Sequence, residues 1–228
     1  MSEMQNIVTI DGPSGVGKSS VSRKVAAATG FTYLDTGAMY RGVGWYFLQQ
    51  GVGLDDAGAI AENLARLELK LLPAADEESD VGVLVNGENV TDAIRTPEMA
   101  MVASKVSAVP VVREILTQIQ RSYGDKGNIV AEGRDTGTVV FPKAAHKFFL
   151  DAQPTERARR RLLQLRARGV EADLNEILTM TLERDKNDSE RAIAPLKKAQ
   201  DAHLIDTTEL TVEQVVDRII QIINNKRG

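Results

Sequence analysis

The residues Gly12-Pro13-Ser14-Gly15-Val16-Gly17-Lys18-Ser19 fit the pattern G-x-x-x-x-G-K-[ST] and follow the apolar run Ile7-Val8-Thr9-Ile10. A buried strand that ends in a glycine-rich turn and feeds a helix points several backbone N–H groups, and the positive end of the helix dipole, at one spot. That spot suits phosphate. Lys18 is expected to reach the β- and γ-phosphates of a nucleotide, while the Ser19 hydroxyl ligates the magnesium ion bridging them. A glycine-rich turn without a ligand is the alternative. Two fixed glycines with a lysine and a hydroxyl, set between a strand and the helix-compatible stretch Val21 to Ala28, argue against it.

A phosphate-binding loop does not say what receives the phosphate. Arg157, Arg159, Arg160, Arg161, Arg166 and Arg168 cluster on a segment whose apolar side is Ala158, Leu162 and Leu165. They form either the solvated face of an amphipathic helix or a cover that lays guanidinium groups on a polyphosphate as it closes. Charge spreads over the equatorial oxygens of a transferring phosphoryl group, so arginines placed beforehand suit that reaction. Glu132-Gly133-Arg134-Asp135 follows a strand, at the end where open α/β sheets bind ligands. A salt bridge between Arg134 and Asp135 is the structural alternative. Arg184, Asp188 and Arg191 recur at four- and three-residue spacing and share one face if the segment is helical. Asp35, Tyr40 and Arg41 follow the second strand as either caps or ligand contacts. His146 and His203 lie near or within strands, far from any partner at metal-ligand spacing, and read as structural.

These groups need elements to position them. Strand-like Phe31 to Asp35 and helix-compatible Ala38 to Gln50 continue the strand–helix rhythm of a parallel sheet. Ile60 to Leu69 reads as helical, whereas Leu67 to Leu72 and Val81 to Val85 read as short strands. Asn86-Gly87 is a type I′ hairpin signal, and Pro73 to Asp80 an exposed acidic loop. A small antiparallel patch is thus expected inside a parallel frame, ending near Asp92 to Thr96. Pro97 opens a helix toward Ser107, and Pro110 another with Val112, Ile115, Leu116 and Ile119 on its apolar face. Asn128 to Ala131, Lys147 to Leu150 and His203 to Asp206 complete the strands. Asp173 with Glu176, and Thr211 with Gln214, are spaced as capping boxes. Val212, Val215, Val216, Ile219 and Ile223 form the core stripe of the last helix.

With 228 residues, the chain is long enough to bury a sizeable core without staples. It has no cysteine, so disulfides and thiolate metal sites are excluded and a reducing cytoplasm suits it. No apolar run approaches the ~20 residues of a membrane span. The formal charge of -4 does not recruit nucleic acid or an anionic membrane. A cytoplasmic monomer binding neither is expected.

The ordered set Ile10-Asp11-Gly12-Pro13-Ser14-Gly15, Leu34 to Arg41, Gly133 to Pro142 and Glu183-Arg184-Asp185 with Arg191 resembles the bacterial cytidylate kinases, over nearly the whole chain. The resemblance implies an α/β fold. A P-loop core, about 1–40, 105–153 and 192–228, would carry a monophosphate-binding region with the β insertion, about 41–104, and a helical lid, about 154–191. It further implies transfer of the γ-phosphoryl group of MgATP to CMP or dCMP. Gly12 to Ser20, with Arg157 and Arg161 in the lid, would hold ATP. Arg41, Arg134 and Arg191 would hold the acceptor phosphate, Lys18, Arg134 and Arg191 being the catalytic cations. Ser104, Arg113 and Asp135 would contact the cytosine, and Arg184 and Asp188 would lie near the sugar. Asp35, Thr36, Tyr40 and Gly133 complete the substrate set. Asp11 and Glu132 are the candidate carboxylates behind the magnesium. The competing readings are a P-loop kinase of UMP, AMP or a shikimate-like acceptor, and a nucleotide-gated RNA-binding module.

Overall fold

Every residue of the first strand, Ile7–Asp11 (β1), is buried, as a strand flanked on both edges in a parallel sheet should be. The computed structural model describes residues 6–74, 76, 79–167 and 169–225. Ala75, Glu77 and Glu78 of the expected acidic loop, and Arg168 of the arginine cluster, lie outside them. The chain forms two units, Met1–Tyr33 with Gly127–Gly228, and Leu34–Lys126, with the boundary inside the second strand.

In the first unit the P-loop leads into Lys18–Thr29 (α1) and then Thr32–Asp35 (β2). After the second unit come Ile129–Gly133 (β6), His146–Asp151 (β7), Pro154–Ala167 (α6), Leu174–Glu190 (α7), His203–Asp206 (β8) and Val212–Asn225 (α8). The sheet order is β2-β6-β1-β7-β8, with β1 parallel to β6 and β7, and β7 parallel to β8. Val8 and Ile10 meet Val21 and Val25 of α1, Val130, Phe148 and Leu150 of the sheet, and Val215, Ile219 and Ile223 of α8 in one apolar cluster. The last three belong to the expected stripe of α8. Both halves of its capping box form, Gln214 N donating to Thr211 Oγ1 and Thr211 N to Gln214 Oε1. Helices α6 and α7 share a smaller cluster of Ala158, Leu162, Leu165 and Ile177.

The second unit contains Thr36–Gln50 (α2), Ala57–Ala65 (α3), Leu69–Leu72 (β3), Gly82–Val85 (β4), Glu88–Asn89 (β5), Pro97–Val106 (α4) and Pro110–Gly124 (α5). Its three short strands form the expected antiparallel patch, ordered β3-β4-β5. Asn86 and Gly87 both take positive φ, 49° and 83°, as a two-residue I′ connection requires. Helix α3 stops at Ala65, short of the expected Leu69, because the hairpin claims the following backbone. Glu68 N donates to Asn86 Oδ1 and Glu68 O accepts from Asn86 N. The sequence pattern also gave no sign of the single π-helical turn at Thr136–Val140.

Gly42 and Gly44 let α2 approach its neighbours closely. A Cβ on Gly44 would stand 2.7 Å from Val102 Cγ1, on α4. Helix propensity favours Gly44→Ala by ~1 kcal/mol, whereas overpacking costs ~1–3 kcal/mol. Because Val102 is β-branched and stiff, the steric cost is expected to win. Gly44→Ala should lower the urea midpoint, and Val102→Ala in the same chain should recover part of it.

Candidate functional site

Two loops leave the C-terminal ends of adjacent parallel strands in the first unit. Asp11, the last residue of β1, is in register with Gly133, the last of β6, so the P-loop and the Arg134–Asp135 segment start side by side. Gly12 turns where a Cβ would meet Leu150 O at 2.1 Å, and Gly17 caps α1 at φ 91°, which only glycine takes at little cost. The loop's shape therefore follows from its glycines.

Lys18 is buried, and its ammonium donates to Pro13 O at 2.6 Å. Burial, with the charges of Arg134 and Arg184, holds its pKa well below the ordinary lysine range, against the opposing pull of Glu132. Ser19 Oγ donates to Glu132 Oε1 at 2.8 Å. Of the two candidate carboxylates, Glu132 is thus the one that touches the expected magnesium ligand. Asp11 instead accepts from Thr136 N, Thr136 Oγ1 and Gly137 N, and burial raises its pKa to about 6 despite these donors.

Arg134 and Asp135 do not pair with each other. Arg134 Nε donates to Asp188 at 2.8 Å, and Asp135 accepts from Arg191 Nη2 at 3.2 Å. Each finds its partner on α7 or just beyond it. Burial raises the Asp188 pKa, but Arg134, Arg184 and Arg191 outweigh it and keep the carboxylate ionised below its usual range. The i,i+4 contact of Arg184 with Asp188 is the looser one, at 3.9 Å. Arg184 Nη1 also donates to Ser14 Oγ in the P-loop at 2.9 Å.

The arginine cluster divides by environment. Arg157 is buried. It donates to Ala152 O, to Ser14 O and, through both terminal nitrogens, to Asp185. Arg160 bonds Glu156 and the carbonyls of Thr207 and Thr208, while Arg159 pairs with Glu156. Arg161 is half-buried, with a bond to Gln164.

In the second unit, Asp35 caps α2 by accepting from Ala38 N and takes Arg41 and Arg95 on the same oxygen, each at 3.2 Å. Arg95 was absent from the expected set, because nothing near it in sequence marks it; sixty positions separate it from Asp35. The guanidinium of Arg113 lies 5.2 Å from the Tyr40 ring centre, with Nε donating to Ser107 O. Thr36 lies in the first turn of α2 and Ser104 near the end of α4, both buried.

The family model described as cytidylate kinase matches residues 8–225. The cytidylate kinase of Carboxydothermus hydrogenoformans is 47% identical over 219 residues, 96% of this chain and 97% of that one. That of Syntrophotalea carbinolica is 44% identical over 223 residues, 98% and 94% of the two chains. Among solved structures, shikimate kinase from Bacteroides thetaiotaomicron superposes with a TM-score of 0.51 at 13% identity, covering 96% of this chain and 98% of that one. That last likeness speaks for the fold alone.

Burial raises the Asp35 pKa, but Arg41 and Arg95 outweigh it, so the folded value falls below the ordinary one. The ion pairs' contribution is therefore fully present above the unfolded pKa of about 3.9 and is lost as pH falls through the lower folded value. Asp35→Asn, which strips two arginines of a buried partner, should lower the unfolding free energy by ~3–5 kcal/mol at neutral pH. In urea titrations the gap to wild type should narrow below about pH 4; a gap independent of pH would assign the loss to packing.

Proposed function

The chain belongs to the cytidylate kinase family, and we propose that it moves the γ-phosphoryl group of MgATP to CMP or dCMP. The carrying observation is the gathering of Lys18, Arg134 and Arg184 beside a P-loop, with Lys18 on Pro13 O, Arg184 on Ser14 Oγ and Arg134 following the strand end in register with Asp11; burial and these neighbouring charges depress the lysine's pKa. Cations held that close repel one another, and a polyphosphate relieves the repulsion.

The reaction needs no covalent intermediate. An oxygen of the acceptor phosphate, already anionic at neutral pH, attacks the γ-phosphorus, and the β–γ bridging oxygen leaves with the bonding pair. Lys18 neutralises charge on the transferring group, assisted by Arg134 and Arg191. The backbone of Gly12 to Ser20 cradles the donor phosphates. Ser19, with Glu132 behind it, offers the hard oxygen set that magnesium prefers, and the ion would neutralise charge on the β- and γ-oxygens. Arg157, whose guanidinium makes four bonds to protein acceptors, serves ATP by bracing Ser14, and Arg161 is assigned as a lid contact to the polyphosphate.

The acceptor contacts are assigned within each unit. In the first, Gly133, Arg134 and Arg191 serve the phosphate, Asp135 the base, and Arg184 and Asp188 the sugar. In the second, Asp35, Thr36, Tyr40 and Arg41 serve the phosphate side, and Ser104 and Arg113 the base. A cytosine edge presents an N4 donor beside N3 and O2 acceptors, which a carboxylate and a guanidinium complement. Stacking on Tyr40 and the bond to Ser107 restrict Arg113, so less order has to be imposed on binding. The lack of cysteine fits the cytoplasm, and we assign a monomer there.

ADP release with a panel of CMP, dCMP, UMP and AMP tests the reading; turnover of CMP and dCMP above the others supports it, and preference for UMP or AMP overturns it. Lys18→Ala should cut turnover ~10²-fold or more, one preorganised charge being worth about 3–4 kcal/mol. Asp135→Ala should impair CMP use selectively, whereas equal loss with every acceptor would deny it a role in reading the base.

A further inference from the structure

The reaction as described leaves Asp11 without a task, although it is buried at the end of the central strand. Its backbone is in register with Gly133. Its side chain reaches past the next two residues: Oδ1 accepts from Thr136 N at 2.9 Å and Thr136 Oγ1 at 2.8 Å, and Oδ2 accepts from Gly137 N at 2.8 Å. The segment enclosed by these two attachments is Arg134–Asp135.

The second attachment is to the π-helical turn, Thr136–Val140. Asp135 O accepts from Val139 N at 2.9 Å and Val140 N at 3.2 Å, and Thr136 O accepts from Phe141 N at 2.7 Å. Such turns are rare and recur at functional sites, and contacts from outside help to hold this one. Asp11 supplies three. The turn also lies flush on β1, since a Cβ on Gly137 would stand 2.8 Å from Thr9 Oγ1 and 3.3 Å from Asp11 Oδ2. Asp11 is at the same time the covalent neighbour of Gly12, the first residue of the P-loop.

We propose that Asp11 is a positioning residue for the acceptor, bracketing Arg134–Asp135 between β1 and the π turn and so setting the direction of both side chains relative to the P-loop. The proposal rests on the reading that assigns Arg134 and Asp135 to the acceptor. A carboxylate suits the task because it accepts from three donors on two oxygens. In Asp11→Asn one oxygen keeps Thr136, but the amide nitrogen confronts the Gly137 N–H, donor against donor. Gly137→Ala disturbs the same bracket from the opposite side by sterics, leaving the carboxylate in place.

Both variants should lower kcat/KM for CMP by ~10–10²-fold, the range expected when reacting groups shift by about an ångström. Equilibrium binding of MgATP, read with a fluorescent analogue, should be unchanged. If both variants weaken MgATP binding as much as CMP use, or leave CMP use intact where Asp135→Ala impairs it, Asp11 is not a positioning residue. If Asp135→Ala itself leaves CMP use intact, the acceptor assignment fails and the role of Asp11 falls with it. Should Asp11→Asn fail to fold, Thr136→Val, which removes one of the three bonds, carries the test with Gly137→Ala, and the same split in kcat/KM and MgATP affinity decides.

Discussion

Cations that must meet a polyphosphate have first to be held against one another. In the first unit Lys18, Arg134, Arg184 and Arg191 are all drawn toward the C-terminal ends of β1 and β6, and burial, reinforced by the charges of Arg134 and Arg184, depresses the pKa of Lys18. Carboxylates keep the set in place: Asp188 takes Arg134 and Arg184, Asp135 takes Arg191, and Glu132 offsets Lys18. Stabilising charge of this kind is most effective when oriented before the substrate arrives, because no reorganisation is then needed as charge develops.

Placement of these charges depends on the parallel register of β1 and β6. A one-residue slip would turn every side chain of the slipped strand to the other face and separate Asp11 from Gly133. That slip is resisted by the apolar faces of both strands, buried against α1 and α8. Core packing and site geometry are therefore one constraint. The hydrophobic positions of the strands fix where their last residues emerge, and so where the P-loop and the Arg134–Asp135 segment begin.

The second unit applies the same device on a smaller scale. Arg41 and Arg95 share one oxygen of Asp35, and Arg113 is confined by a ring face and a carbonyl. Long side chains otherwise lose considerable rotamer freedom on binding. Here part of that ordering is complete beforehand. The close approach of α2 to β3, β4 and α4 over Gly42 and Gly44 holds Tyr40 and Arg41 to the same frame.

The sequence by itself determined the elements whose signals are local: the P-loop, the Asn86-Gly87 hairpin, the capped starts of α7 and α8, and the apolar stripes of α5 and α8. It also determined the family, because the motifs around Arg41, Asp135 and Arg184 occur together and in order. Only the tertiary structure decided the partners. Arg134 pairs with Asp188 and Asp135 with Arg191, rather than with each other. Arg157 braces Ser14 from within the core, whereas helical periodicity alone allowed it a place on a solvated face. Asp11 accepts from the π turn at Thr136 and Gly137, and Arg95 enters the Asp35 pair from sixty residues away. A hydrogen bond or ion pair is fixed by distance in space, and the chain sets that distance only after distant strands have taken their register.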